Sequence, residues 1–82
     1  MEKVFVEVMV PATGRKYEFI IPEVMKVGVA AELIAQAVQE TEGIRSQKDN
    51  VVLCTFEDEK VLPNSSTISN TGITDGTKLI LV

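Results

Sequence analysis

Histidine and tryptophan are absent from the 82 residues, and cysteine occurs once, as Cys54. Without histidine the commonest general base and the commonest transition-metal ligand are lost together. With one thiol, a structural zinc site is short of ligands and an intramolecular disulfide is excluded, which fits a reducing compartment. No apolar run approaches the roughly 20 residues that cross a bilayer, and the N-terminal MEKVFVEV alternates instead of placing an apolar stretch behind basic residues. An excess of positive charge is missing too. Eight basic residues stand against twelve acidic ones, for a net charge of −4, and aromatics are not interleaved with Lys or Arg. Binding to nucleic acid, which relies on cations neutralising phosphates, is disfavoured. These absences predict a cytoplasmic protein that is not an enzyme. They leave it with no catalytic residues, no cofactor, no metal, no nucleic-acid partner and no direct membrane insertion. Binding to other proteins is the class that remains.

The polar residues present do not change that reading. Thr13, Ser65, Ser66 and Ser69 offer hydroxyls without a local base. Glu57-Asp58-Glu59 lacks the spaced oxygens of a Ca²⁺ loop and reads as a solvated turn. Nothing basic stands near Cys54 in sequence to activate its thiol, so packing is its expected role. Hydrophobic content of 45% with 24% charge indicates a folded chain. Its length makes residues 1–82 one domain, with an expected radius of gyration of ~12 Å.

The organising stretch is Val27 to Gly43, VGVAAELIAQAVQETEG. At 100° per residue Leu33, Ala37, Ala30, Ile34, Val27, Val38 and Ala31 share one arc, with Glu32, Gln36, Gln39, Glu40 and Glu42 opposite. That spacing predicts one amphipathic helix, with its alanines allowing close approach to a sheet. Gly43 is its expected stop, and Gly28 the best substitute for a missing N-cap side chain.

Strand signals surround it. Lys3 to Val10 alternates Val4, Val6, Val8 and Val10 with Lys3, Phe5, Glu7 and Met9, and the valines are expected inward. Pro11-Ala12-Thr13-Gly14 is a turn, and Lys16 to Ile21 returns with Tyr17, Phe19 and Ile21 on one side. VVLCTF, residues 51 to 56, makes a third strand. Either Val51/Leu53/Thr55 or Val52/Cys54/Phe56 could face inward there, with Leu53 preferred. Lys60-Val61-Leu62 predicts a short fourth strand ended by Pro63, and Ile68 and Ile73 anchor a Ser/Asn-rich loop. Asp75-Gly76 turns the chain into TKLILV, with Leu79 and Leu81 inward and Lys78, Ile80 and Val82 outward. A closing strand apolar on both sides belongs in the middle of a sheet, beside the first strand and parallel to it. The expected fold is therefore α+β in ββαββ order, a mixed four- to five-stranded sheet on one helix, with the first and last strands central and parallel: the β-grasp.

Particular segments carry a family resemblance. TGRKYEF resembles the first hairpin of ubiquitin, and TEGI at residues 41 to 44 resembles its helix exit. KVLPNSSTISNTGITDGTKLILV, residues 60 to 82, resembles the YukD/EsaB family of ubiquitin-like proteins from WXG100 (type VII) secretion systems. Thr77 departs from it, standing where that family often has an acidic residue. Ubiquitin-like modifiers and the sulfur carriers ThiS and MoaD end in a Gly-Gly tail, whereas this sequence stops at Val82 within strand pattern. The expectation is a non-conjugating module. The resemblance implies an accessory or regulatory component of bacterial type VII secretion, with secretion-machinery proteins as partners. Two alternatives are a ThiS/MoaD-like carrier or modifier, should a Gly-Gly extension exist, and a ubiquitin-like docking domain of a larger protein.

If the first and last strands are neighbours, Phe5, Ile20, Ile80 and Val82, with Val52 and Cys54 in the preferred register, share the sheet face away from the helix. By analogy with other ubiquitin-like domains, this group is the expected surface for a protein partner or a homodimer. The competing reading covers it with the side-chain stems of Lys3, Lys16 and Lys78.

Overall fold

The computed structural model describes residues 2–43 and 51–82. Its elements run β1 (Lys3–Val10), β2 (Arg15–Pro22), α1 (Val27–Glu42), β3 (Leu53–Thr55), a short 3₁₀ helix (Ile68–Thr71) and β4 (Thr77–Leu81). The strands form one sheet in the order β2-β1-β4-β3. β1 is antiparallel to β2 and parallel to β4, and β3 is antiparallel to β4. The closing strand is thus central, and the radius of gyration is 11.7 Å.

Period-2 alternation places the valines of β1 inward, where Val6 and Val8 lose all contact with solvent. They meet Leu79 and Leu81 of β4 and Leu53 of β3 under the Val27, Ala30, Ala31, Ile34 and Val38 face of α1. Ile68 and Ile73 join this core as expected, and Leu62 is buried in it too. Among the described residues the core holds no polar or charged side chain. Leu53 is inward, and the in-register alternation gives Val51, Leu53 and Thr55 the core side of β3.

The hairpin turn uses Gly14 at φ 69°, with the amides of Thr13 and Gly14 both donating to the Val10 carbonyl. Gly43 ends α1 in the left-handed conformation, its N–H donating to the Gln39 carbonyl.

Four local expectations are corrected. Gly28 does not cap the helix: Lys26 holds that position without a side-chain bond. The first helical donors are satisfied instead by the Ser/Asn-rich loop, Val27 N–H reaching the Ser66 carbonyl at 2.8 Å and Gly28 N–H the Asn64 carbonyl at 3.1 Å. The loop continues along the same segment, with Ile68 N–H on the Met25 carbonyl and Ser69 N–H on Glu23. It works as a brace across the helix entrance. Leu33, on the flank of the apolar arc nearest the edge strand, is 49% exposed. β3 is shorter than residues 51 to 56, although Val52 and Val82 still exchange both main-chain hydrogen bonds. Residues 60 to 62 form a single bridge, Val61 to Cys54, in place of a strand. Pro63, with no N–H, stands directly after Leu62 and gives the pairing no room to extend.

Candidate protein-binding sheet face

Strand register fixes which outward side chains are neighbours. From one end of the sheet to the other, Ile20 lies across from Phe5; Glu7 stands between Glu18 and Lys78; and Lys16, Met9, Ile80 and Cys54 follow one another across the four strands. Val82 and Val52 form the last pair. The six residues expected to form one patch are therefore not contiguous. The charged row Glu18–Glu7–Lys78 separates Phe5 and Ile20, 38% and 68% exposed, from Ile80, Val52 and Val82.

Cys54 requires a second correction. It points outward as the register demands, but it is buried, flanked by Ile80 on one side and bridged Val61 on the other. The larger apolar group consists of Met9, Ile80, Val61, Val52 and Val82 around that thiol, with Phe56 at its border. Met9 and Val61 were missing from the expected set. Met9 was readable, because it alternates with Phe5 along β1. Val61 was not, because its place depends on a non-local bridge to Cys54. Lys16 and Lys78 line one small recess together with Met9 and Phe56, so these two lysine stems border the group on the side of the charged row.

The polar groups nearby are committed to structure. Asp75 Oδ1 accepts the Phe5 N–H at 2.8 Å, fixing the turn before β4 against β1. The Tyr17 hydroxyl donates to Glu42 Oε1 at 2.7 Å and lies 3.0 Å from Thr13 Oγ1, while Arg15 Nη1 is 3.5 Å from the same carboxylate oxygen. Loss of solvent at the ring, and then the Glu42 carboxylate, hold the Tyr17 phenol above its usual value of 10.0. This cluster ties the hairpin to the end of α1. Glu57, Asp58 and Glu59 are all exposed on a turn whose Glu59 has φ 53°. Among the described residues, no three acidic or thiol side chains converge as metal ligands, and no helix is long and apolar enough to cross a membrane.

A mixed sheet with central parallel first and last strands over one helix defines a ubiquitin-like β-grasp protein, and its outward face carries an apolar group around Cys54. Solved structures share the fold. A chain of the toluene 4-monooxygenase HD complex with the inhibitor 4-bromobenzoate superposes with a TM-score of 0.86 at 11% identity, covering 99% of this chain and 98% of that one. The EccD5 ubiquitin-like domain from Mycobacterium xenopi does so with 0.81 at 15% identity, over 100% and 94% of the two chains. The ubiquitin-like domain of the Mycobacterium tuberculosis type VII secretion system protein EccD1 gives 0.78 at 13% identity, over 100% and 99%. At these identities the likeness is one of fold alone. Comparison with curated proteins finds no match. The family described as "WXG100 protein secretion system (Wss), protein YukD" matches residues 5–81. The chain belongs to that YukD family, and is a ubiquitin-like module associated with type VII secretion.

Proposed function

We propose that this protein acts in the bacterial cytoplasm as a non-conjugating, non-enzymatic docking module of a WXG100 secretion apparatus, recognising a component of that machinery through the apolar group around Ile80. The observation that carries the reading is the outward cluster of Met9, Ile80, Val61, Val52 and Val82, in which Val61 and Val82 are 57% and 40% exposed. Burying such side chains against a partner contributes about 25 cal/mol per Å² before association costs are met. The charged row beside it supplies a polar border of the kind that fixes orientation.

Complementation tests this. In a host lacking the gene, the unaltered protein should restore export of WXG100 substrates. Ile80→Glu should fail while retaining its fold by circular dichroism, and Ile20→Glu, beyond the charged row, should restore export. Full restoration by Ile80→Glu would refute the docking surface. Appearance of the protein in covalent conjugates would refute the non-conjugating role.

A further inference from the structure

A second surface lies on the free margin of the sheet. The Phe5 N–H donates to Asp75 Oδ1 and the Phe5 carbonyl accepts the Gly76 N–H, so both main-chain groups of Phe5 face β4. In an antiparallel ladder the residue opposite, Ile20, then turns its own N–H and C=O away from β1. Two-residue alternation gives Glu18 and Lys16 the same orientation. β2 is a margin of the sheet, and none of these groups bonds to another described residue. Alongside this edge runs a groove of about 140 Å³ between β2 and α1, bounded by Phe19, Ile21, Met25, Leu33 and Ala37.

We propose that this edge accepts an extended peptide as an added antiparallel strand, with alternate apolar side chains in the β2/α1 groove, a basic residue opposite Glu18 and an acidic one opposite Lys16. Main-chain pairing would give affinity, and the groove and charge pair would give specificity. A second copy of β2 fits less well. Pairing Lys16 with Ile20 sets Glu18 against Glu18, pairing Lys16 with Glu18 lays Arg15 beside Phe19 in the groove, and pairing Glu18 with Ile20 leaves that carboxylate without its cation. The surface is separate from the apolar group around Ile80, and the two stand or fall independently.

The capped peptide Ile-Val-Leu-Arg-Val-Glu places its residues opposite Ile21 to Lys16 in turn. Titrated into the ¹⁵N-labelled protein, it should shift and protect the amides of Lys16, Glu18 and Ile20 and perturb Leu33 and Ala37. Replacing its Arg by Glu should weaken binding at least fivefold, and Glu18→Lys should reverse that preference. Ile20→Pro removes one outward N–H at a position where an edge strand tolerates proline. It should lose binding while keeping a cooperative thermal transition, and Leu33→Asp, at an exposed position, should do the same. Absence of saturable binding, shifts centred on Ile80, an unchanged preference in Glu18→Lys, or protection of the β2 edge by self-pairing without peptide would each overturn the proposal.

Discussion

Replacing Gly28 by alanine sets two effects of known size against each other. In a helix interior alanine is favoured over glycine by about 0.8–1.0 kcal/mol, so helix propensity alone predicts stabilisation. Here a Cβ would lie 3.1 Å from Asn64 Cβ and 3.2 Å from the Asn64 carbonyl oxygen. That carbonyl is not free to retreat, because it accepts the Gly28 N–H, and the next bond of the brace joins Val27 to Ser66. Overpacking a constrained contact costs about 1–3 kcal/mol. The net expectation for Gly28→Ala is a loss of about 1 kcal/mol, lowering Tm by about 4–8 °C in a domain of this size. Thermal and urea unfolding followed by circular dichroism would measure it. In an Asn64→Gly background the side-chain contacts disappear and the penalty should shrink, giving a coupling of about 0.5 kcal/mol or more. A higher Tm for Gly28→Ala alone would refute the view that the loop braces the helix entrance.

Other predictions follow from the same geometry. Leu79→Ala, in the central strand and without solvent exposure, should cost about 2.7–5 kcal/mol by denaturant unfolding, a large share of the roughly 4–12 kcal/mol expected for a chain of this length. Asp75→Ala should cost about 1 kcal/mol and speed exchange of the Phe5 amide, since the main-chain donor loses its acceptor. The folded-state pKa of Tyr17 is raised, so its contribution to stability is full below the unfolded value of 10.0 and declines as pH climbs through the higher folded value. Tyr17→Phe, which removes the hydroxyl's bonds to Glu42 and Thr13, should destabilise the protein at neutral pH and remove part of the alkaline loss, as a pH series of melts would show.

Much of this fold was legible because its signals are local. Four alternating valines in β1, the arc ending at Val38 and the Asp75-Gly76 turn each state a period or a backbone need within a few residues, and a doubly apolar closing strand implied a central position. The rest depends on contacts between distant segments. No residue near Lys26 reveals that Asn64 and Ser66 cap the helix. VVLCTF looks like a full strand until register shows only three residues in the ladder. Alternation along β1, β2 and β4 turns Phe5, Ile20 and Ile80 outward, but the division of that face depends on Glu7, Glu18 and Lys78 coming into one row. Cys54 is covered because Val61 returns beside it, an outcome no periodicity encodes.

The proposed docking role requires that a secretion-machinery protein rest on the sheet face around Ile80. Placing a photo-activatable amino acid at Val61 or Val82, both exposed, and irradiating cells engaged in WXG100 export reads that contact directly. Adducts with a secretion-machinery protein are expected from both positions, and none with that protein from Glu57 or Asp58 on the solvated turn. Adducts of equal yield from the turn, or none from Val61 and Val82, would contradict it.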